Sequence, residues 1–514
     1  MFQVLRSDGQ SGHDHYPTKI TIMHLKIKTL IAAGFAIAML HAQAQPATQN
    51  AVVTVHPDQP GLKIPADFLG FSVEKGLLSR DCLQPGNAAL INLLRNLGPG
   101  VLRIGGNEVD ATFWSRSEKS APIAMADTNR LAKATPLTLG PLSVDSTFAF
   151  AKASGWRVIY GLNLGANQPD MAADEAEYVL KAGGSSVIAL EIGNEPNLFH
   201  KNDQKTDKDA KHIKLTELRP NGYSYSQFHD EFQTYYRTIL ARSPRAPIAG
   251  PVTTRFCPWV PDFVRDCKDR IVLVTSHGYP LTGQETNPQS PRFPSIENLL
   301  GTSNDEDWLP KLKAATAAGI PWRLGEFNSA TGGGKTGLSD TFASALWGVD
   351  FFFDVVEHGG VGVNLHNSFN PGGYSPLCYL PEENRFEAAP LYYGMLLFHQ
   401  AAQGWVVPVE CQTTANFTAH AVLGEDGKLR VMLINKDLRN PVMASIASGS
   451  PRTKGDVIRL TAPSVTATQG VTLAGSAVAK DGTWTRQPGA TVERVNGKFK
   501  VSLPAASAAL LTIE

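Results

Sequence analysis

Eight short runs of apolar, β-rich sequence alternate with stretches of helical spacing, and this alternation limits the possible fold more than any other feature. The runs lie at residues 68–74, 101–106, 157–164, 187–196, 247–252, 271–280, 321–329 and 361–368. Between them, segments such as 88–97, 223–240 and 339–356 repeat apolar residues with the spacing of a helix. Eight strands that alternate with helices predict an α/β protein built on a (β/α)8 TIM barrel, and near-continuous apolar strands fit its parallel sheet.

A doubly wound open sheet is the alternative architecture for the same alternation. It would need a glycine-rich phosphate-binding turn directly after the first strand. The sequence at that point, Glu74-Lys75-Gly76, contains no such turn. We therefore favour the barrel.

The last part of the chain follows a different pattern. Alternating strands are joined there by Asp-Gly at 426 and 481 and by Asn-Gly at 496, dipeptides that are typical of β-hairpin turns. We expect a catalytic barrel over residues 63–402 and a C-terminal antiparallel β-sandwich over 403–514. Residues 45–62 are interpreted as an N-terminal strand that joins the sandwich.

The N-terminal segment, residues 1–44, has the pattern of a signal peptide. Two lysines follow Met23, which is a second plausible start, and an apolar run over 30–40 comes next. Ala-Gln-Ala at 42–44 supplies the small residues of a cleavage site. The apolar run is too short for a membrane span, which needs about 20 residues, although an N-terminal anchor is the alternative. We expect a secreted or periplasmic protein with no stable membrane insertion after cleavage.

The charge balance and the cysteines exclude several classes of protein. The chain has 514 residues with 47 basic and 47 acidic side chains, so its formal net charge is zero. A general nucleic-acid binder is disfavoured, because affinity for phosphates requires a basic surface. The five cysteines have neither zinc-finger nor redox spacing, and no cluster of His and Asp suggests a cation site. We expect neither a metal nor a cofactor.

Two glutamates come at the carboxyl ends of predicted barrel strands. Glu195 follows the fourth strand in Gly-Asn-Glu-Pro, and Glu326 ends the seventh in Gly-Glu-Phe-Asn. Catalytic residues of such barrels lie at these ends, and closure of the barrel brings distant strands together. A protonated carboxyl beside an ionised one is the minimum for hydrolysis of a glycoside. The alternative is that both are glutamates of surface loops.

These residues give the chain its resemblance to a known group of enzymes. It resembles the clan A glycoside hydrolases and, within them, glycoside hydrolase family 79, the β-glucuronidase and heparanase group. The resemblance covers the barrel and the C-terminal sandwich, and it is nearer to the bacterial single-chain members than to the two-chain heparanases of animals. It implies that Glu195 is the acid/base, that Glu326 is the nucleophile and that Asn194 binds the sugar 2-hydroxyl.

The same resemblance suggests how a uronic acid is recognised. A run of glycines at 332–334 follows Glu326, and glycine-rich backbone can present N–H groups to an anion. In family 79 two glycines of this loop bind the uronic carboxylate, which implies Gly332 and Gly333 here. Tyr374, after the eighth strand, matches a tyrosine that donates to the same carboxylate. The alternatives are a flexible loop and a tyrosine that only packs.

Four further residues are candidates for supporting roles. The resemblance implies that Tyr279, at the end of the sixth strand, contacts the nucleophile, with His277 behind it. Arg103 ends the second strand in Arg-Ile-Gly-Gly, and its charge would support the ionised nucleophile; an interstrand salt bridge is the alternative. Glu74, at the end of the first strand, is a candidate for binding a sugar hydroxyl.

The leading hypothesis is a retaining exo-β-glucuronidase that releases terminal β-linked glucuronic acid, or its 4-O-methyl ether, from glycans. An endo-β-glucuronidase acting on acidic polysaccharides is the alternative within enzymes. A non-catalytic carbohydrate-binding barrel is the alternative from another class, although such a protein would typically have lost a carboxylate. The expected partner is a glycan or glycoside that contains glucuronic acid, and not a nucleic acid.

Overall fold

The computed structural model of the protein describes residues 47–125, 137–200, 218–301 and 309–514. The predicted signal peptide, residues 1–44, lies outside the described residues. Across the described ranges, no helix combines the length and the apolar character that crossing a bilayer requires.

Eight parallel strands close into a barrel, which confirms the predicted architecture. In chain order they are Gly70–Glu74, Val101–Gly105, Arg157–Leu162, Val187–Ile192, Ile248–Thr253, Leu273–Gly278, Trp322–Phe327 and Gly362–His366, called here the first to eighth barrel strands. Seven of the predicted runs contain one of these strands, and the fifth run, 247–252, overlaps Ile248–Thr253, which ends one residue later. The fifth, sixth and seventh strands are buried at every residue, because a parallel barrel sheet is covered on both faces. The eighth strand pairs with the first, and this pairing closes the barrel.

Helices connect the barrel strands and extend beyond the last of them. They are Ala88–Asn96, Pro141–Ser154, Pro169–Gly183, Tyr225–Arg242, Trp259–Cys267, Ile296–Leu300, Leu309–Ala317, Phe342–Glu357 and Pro390–Ala401. Three of them begin with proline, whose missing N–H costs nothing in the first turn. Short 3-10 helices occupy Lys75–Ser79, Asp81–Leu83, Asn107–Ala111, Gly184–Ser186, Pro196–Leu198 and Pro381–Glu383. Two small strand pairs join Thr112–Trp114 to Leu137–Leu139 and Leu377–Leu380 to Arg385–Ala388.

Two further sheets form a sandwich. In spatial order, one contains Val409–Thr413, Gln49–Val55, Val442–Ala447 and Phe499–Leu503. The other contains Gly404–Val407, Phe417–Gly424, Leu429–Asn435, Ser507–Ile513, Lys454–Thr461 and Thr472–Leu473, with Ala490–Glu493 beside Lys454–Thr461. Burial alternates along strands such as Phe499–Leu503. Residues from both sheets form one apolar core, as in other sandwiches, and other buried residues of the larger sheet belong to the same apolar cluster as the barrel.

One pairing departs from the predicted antiparallel arrangement. Gln49–Val55 pairs antiparallel with Val409–Thr413 but parallel with Val442–Ala447. Short turns force consecutive strands to run antiparallel. Gln49–Val55 precedes the barrel in the sequence, whereas its neighbours in the sheet follow the barrel. No hairpin turn therefore determines its direction.

An ionic cluster, buried except at Glu357, joins the helix Phe342–Glu357 to the sandwich. Nε2 of His420 lies 2.9 Å from Asp350, and its Nδ1 lies 2.8 Å from Glu357. Lys436 Nζ lies 2.6 Å from the second oxygen of Asp350. Burial alone would lower the pKa of His420, but its hydrogen bonds to the two carboxylates and their charges raise that pKa to about 10. The imidazole is therefore a cation at neutral pH.

We expect this cluster to give the free energy of unfolding a characteristic pH dependence. Because the pKa of His420 is raised by folding, its stabilisation is fully present below about pH 6.5, the ordinary value, and is lost as the pH rises through about 10. One such proton corresponds to about 1.4 kcal/mol per pH unit. Denaturant unfolding between about pH 6 and pH 10 should show this decrease in the free energy of unfolding in the wild type. The His420→Gln variant should not show it.

The matched control is His229→Gln, which changes a partly exposed histidine on the helix Tyr225–Arg242. This variant should keep the pH dependence of the wild type. The same pH dependence in the wild type and in His420→Gln would contradict the assignment of a charged His420.

Candidate active site

The two predicted catalytic glutamates meet at the carboxyl ends of the barrel strands. Glu195 follows the fourth barrel strand, and Glu326 is the last residue but one of the seventh. One oxygen of each glutamate and one ring nitrogen of His277 all lie within 4.8 Å of one another. Retaining glycosidases hold their carboxyl groups about 5–5.5 Å apart, whereas inverting enzymes leave about 6.5–9.5 Å for a water. The observed separation fits a double displacement.

Glu326 is surrounded by positive charge and hydrogen-bond donors. Arg103 Nη1 donates to its Oε2 at 3.0 Å, and the Tyr279 hydroxyl donates to its Oε1 at 2.8 Å. Nδ1 of His366 and Nδ1 of His277 lie 3.7 and 4.0 Å from Oε2. Burial alone would raise the pKa of Glu326, but these four side chains together hold that pKa well below its ordinary value. The carboxyl is therefore ionised, as a nucleophile must be.

Glu195 has a different environment and an unusual backbone. Its φ of +48° and ψ of +51° lie in the left-handed region, which residues other than glycine seldom occupy. Its N–H donates at 2.9 Å to the carbonyl of Val252, which is itself left-handed with φ +58°. Oε1 of Glu195 lies 2.8 Å from Nδ1 of His277, its sole ion-pair partner among the described residues. Backbone strain of this kind is concentrated at functional sites.

Arg103 lies inside the barrel and is fully buried. All three nitrogens of its guanidinium donate hydrogen bonds. Nε donates to Glu191 at 2.7 Å, and Nη2 donates to the side-chain oxygen of Asn194 at 2.9 Å. Nη1 donates to Ser72 at 2.9 Å and to Glu326 at 3.0 Å. Arg103 therefore contacts Glu326 and also forms an interstrand salt bridge with Glu191, so each sequence interpretation describes part of its contacts.

Arg103 in turn determines how the Asn194 amide is oriented. A guanidinium has only donors, so the atom that faces it must be the amide oxygen. The amide nitrogen lies 3.2 Å from Oδ1 of Asn107, and the backbone N–H of Asn194 donates to Asp110 at 3.0 Å. The N–H donors of the amide therefore point away from Arg103, as binding of a sugar hydroxyl would require.

The glycine run and Tyr374 lie next to each other. Gly332 and Gly333 have φ of +69° and +87°, a region that glycine enters without strain. The N–H of Tyr374 donates to the Gly333 carbonyl at 3.1 Å, which joins the two loops. Within the described residues, the N–H groups of Gly332 and Gly333 donate to no protein acceptor. They are therefore available to an anion.

Tyr374 is buried beside the groups that contact the nucleophile. Its ring centroid lies 6.1 Å from that of Tyr279 and 5.9 Å from that of His366. Burial, followed by the negative charges of Glu326 and Glu74, raises the pKa of Tyr374 well above its ordinary value. The hydroxyl therefore stays protonated and can donate to an anion.

Glu74 lies at the same end of the barrel, with two partners that sequence reasoning missed. Its Oε1 lies 3.3 Å from Nε2 of His366, and its Oε2 accepts the N–H of Glu108 at 2.8 Å. His366 ends the eighth barrel strand, so attention to strand ends could have found it. Burial and then the charge of Glu74 raise the pKa of Glu108 to about 7. No sequence signal distinguishes Glu108.

The donor atoms of Glu195, His277 and Glu326 are also close enough together to hold a metal ion. Arg103 already donates to Glu326 at 3.0 Å, and a fixed positive charge at that distance opposes the binding of a cation. The arrangement therefore fits acid–base and nucleophilic catalysis better than it fits a metal centre.

A family model and several known proteins are similar to this chain. Residues 419–510 match the family model described as the glycosyl hydrolase family 79 C-terminal beta domain. The chain is 29% identical over 467 residues to a beta-glucuronidase of Aspergillus niger, which covers 82% of this chain and 80% of that protein. It is 26% identical over 383 residues to heparanase of Mus musculus, which covers 66% and 68% of the two chains.

Solved structures share the fold. A 4-O-α-L-rhamnosyl-β-D-glucuronidase from Fusarium oxysporum superposes with a TM-score of 0.72 at 22% identity, covering 90% of this chain and all of that one. A family 51 arabinofuranosidase from Xanthomonas axonopodis superposes with a TM-score of 0.65 at 14% identity, covering 91% of this chain and all of that one. At these identities the likeness concerns the fold alone.

Tyr279→Phe should move the acidic limb of the pH profile to higher pH. The hydroxyl stabilises the charged form of Glu326, so its removal raises the pKa of that carboxyl towards the ordinary value. A hydrogen bond to a charged group contributes about 1.5–3 kcal/mol, so kcat/KM for an aryl glycoside should fall roughly tenfold to a hundredfold. The loss should be largest at acidic pH, where more of Glu326 is now protonated.

Tyr392→Phe is the control for this experiment. It removes a buried tyrosine hydroxyl that donates to the carbonyl of Leu93, outside the site. Its pH profile should match that of the wild type. An unchanged acidic limb in Tyr279→Phe would mean that the tyrosine does not act on the nucleophile.

Proposed function

We propose that the chain is a member of glycoside hydrolase family 79 and a retaining β-glucuronidase that releases terminal β-linked glucuronic acid, or its 4-O-methyl ether, from glycans. One observation carries the proposal: a close pair of carboxyls lies beside a second set of groups suited to an anion. Glu195 and Glu326 have oxygens within 4.8 Å. Tyr374, which contacts the glycine loop, packs against Tyr279, which donates to Glu326.

Recognition of the uronic acid requires donors for its carboxylate. Moving that carboxylate out of water costs several kcal/mol unless hydrogen bonds replace those to water. The N–H groups of Gly332 and Gly333 and the Tyr374 hydroxyl are the donors that we assign to it. Charge-assisted hydrogen bonds of this kind are stronger than neutral ones. A neutral glucoside would leave these donors unmatched, so the site would prefer a uronide.

In the first displacement, the Glu326 carboxylate attacks the anomeric carbon and forms a covalent glycosyl-enzyme. The bond to the leaving group breaks, and its electron pair stays on the leaving oxygen. Glu195 supplies the proton that this oxygen needs. The donor contacts to Glu326 and the amide of Asn194 keep the reacting groups in place, which lowers the entropic part of the barrier.

In the second displacement, a water attacks the anomeric carbon. Glu195, now deprotonated, accepts a proton from that water, and the electron pair of the ester bond returns to Glu326. Net retention follows, because the anomeric carbon is inverted twice. His277, 2.8 Å from Glu195, would keep this carboxyl oriented through both proton transfers.

Two alternatives remain as competing proposals. Similarity to mouse heparanase supports an endo-β-glucuronidase that acts on acidic polysaccharides. Product size distinguishes the two activities, since an exo-enzyme releases only monosaccharide and an endo-enzyme releases oligosaccharides. A non-catalytic carbohydrate-binding protein is less well supported, because both carboxyls and the contacts of Glu326 are present.

We also propose a domain organisation for the chain and its export from the cell. Residues 63–402 would form the catalytic barrel, and residues 403–514 with strand Gln49–Val55 would form the supporting sandwich. Residues 1–44 would direct the protein to a secreted or periplasmic location, where glycans that contain glucuronic acid are accessible.

The proposal predicts a preference for aryl β-glucuronide over aryl β-glucoside and β-galactoside. Tyr374→Phe removes one donor to the carboxylate, so kcat/KM for the glucuronide should fall roughly tenfold to a hundredfold. Residual activity on the glucoside should barely change. Initial rates on the three substrates measure both effects.

Tyr379→Phe is the matched control. Tyr379 is also buried and lies five residues after Tyr374, but its hydroxyl donates to Asn384 at 2.7 Å. It should leave the preference for the glucuronide intact. A wild type that prefers the glucoside would refute the uronidase assignment. A Tyr374→Phe variant that loses both activities equally would place the carboxylate pocket elsewhere.

The roles of the two glutamates predict different kinetic defects. Glu326→Gln should abolish turnover, because no covalent intermediate can form. Glu195→Ala should be severely slowed on natural glycosides but less so on aryl glycosides with good leaving groups, which need little protonation. The measurement is kcat/KM against the pKa of the leaving group. An equal loss across the whole substrate series for Glu195→Ala would show that the acid has been assigned wrongly.

A further inference from the structure

Glu191 is a buried carboxyl for which the two displacement steps provide no role. It lies on the fourth barrel strand, upstream of Glu195, and it is fully buried. Its Oε2 accepts a hydrogen bond from Arg103 Nε at 2.7 Å. Its Oε1 has no hydrogen-bond partner among the described residues.

Glu191 also lies against the residue that precedes the nucleophile. A side chain added at Gly325 would place its Cβ 3.2 Å from Oε1 of Glu191 and 3.5 Å from Nε of Arg103. The absence of a side chain at Gly325 therefore makes room for the Glu191–Arg103 pair beside the residue that precedes Glu326. The contact is an internal feature of the barrel and not a surface salt bridge.

Arg103 is thus shared between two carboxyls. A guanidinium is always charged in proteins, and a fully buried charge needs compensation by partners. Arg103 gives Nε to Glu191 and Nη1 to Glu326. The negative charge of Glu191 offsets part of the positive electrostatic potential of Arg103. The potential that Arg103 produces at Glu326 is therefore weaker than it would be without Glu191.

We propose that Glu191 is a positioning residue for the nucleophile, which shares Arg103 with Glu326 and thereby balances the rates of the two displacement steps. This inference rests on the proposed retaining mechanism. It does not depend on which sugar is bound, because Glu191 acts through Arg103 on Glu326.

The balance follows from the movement of charge on Glu326. In the first displacement an electron pair of Glu326 forms the bond to the anomeric carbon, and the carboxylate loses negative charge while the leaving oxygen takes up the proton of Glu195. In the second displacement that bond breaks, the pair returns to Glu326, and Glu195 takes a proton from the attacking water. A stronger positive field from Arg103 therefore opposes the first step and favours the second.

Glu191→Gln tests this inference with nearly unchanged shape, because the Gln amide oxygen can still accept the Nε–H of Arg103. On an aryl glycoside with a very good leaving group, kcat/KM reports the first displacement, and kcat reports the second when that step limits turnover. We expect kcat/KM to fall about tenfold, or about 1.4 kcal/mol, while kcat is unchanged or rises up to about fivefold. A burst of released phenol, counted per active site, establishes which step limits kcat.

Glu175→Gln is the matched control. Glu175 is also fully buried in the barrel, where it pairs with the equally buried Lys75 at 2.8 Å. Its hydrogen-bond partners Lys75 and Tyr160 are not among the side-chain partners of Arg103 in the described part of the chain. The loss of this charge should leave the ratio of kcat to kcat/KM unchanged, whatever it does to stability.

Parallel losses of kcat and kcat/KM in Glu191→Gln would overturn the proposal, since a disordered site slows both steps. Glu191→Asp decides the matter if Glu191→Gln does not fold. It keeps the negative charge but moves it away from Arg103. We therefore expect kcat/KM to fall while kcat is unchanged or rises, with both changes smaller than in Glu191→Gln. Parallel losses in this variant would likewise overturn the proposal.

The comparison is made on whichever aryl glycoside the wild type hydrolyses best. Failure of the uronidase assignment would appear as a wild-type preference for another sugar, with the effect of Glu191 still measurable. Failure of the Glu191 inference would appear as parallel losses on a substrate that the wild type hydrolyses well. A wild type that hydrolyses no aryl glycoside would overturn both.

Discussion

The site depends on one guanidinium that is completely buried in the barrel. Arg103 comes from the second barrel strand and donates to Ser72 of the first, to Glu191 of the fourth and to Glu326 of the seventh. A buried charge with unmatched donors would destabilise the protein by several kcal/mol. The requirement to match every donor therefore fixes the relative positions of these four strands where they carry the catalytic groups. The same contacts orient the Asn194 amide and hold Glu326 ionised.

The two carboxyls to which we assign catalytic roles are of one residue type, but their environments differ. Glu326 has a guanidinium, a tyrosine hydroxyl and two histidines around it, all of which favour the anion. Glu195 has a single histidine and a left-handed backbone. In this conformation the N–H of Glu195 donates to the carbonyl of Val252. This difference in environment is what the acid/base and nucleophile roles that we propose for Glu195 and Glu326 would require.

Sequence patterns predicted the eight strands and the strand ends that carry Glu195 and Glu326. Buried parallel strands are apolar along their whole length, and a polar residue at their end is therefore conspicuous. The division of Arg103 between Glu191 and Glu326 could not be predicted, because the direction of a long side chain inside a barrel depends on closure. The parallel pairing of Gln49–Val55 was missed for a similar reason, since no local turn determines it. His366 was the omission that strand-end reasoning could have avoided.

The sandwich contributes to the site through a helix and not through a catalytic residue. The first N–H groups of a helix lack partners within it, and those of Phe342 and Ala343 donate to the sandwich carbonyls of Ala467 and Val465 at 2.8 and 2.9 Å. Further along the same helix, Asp350 is held by His420 and Lys436 of the sandwich. The glycine run 332–334 lies between this helix and the seventh barrel strand. Both ends of the loop that would bind the uronic carboxylate are thus fixed, so less conformational entropy is lost when an anion binds to it. The sandwich therefore helps to anchor the loop to which we assign recognition of the uronic carboxylate.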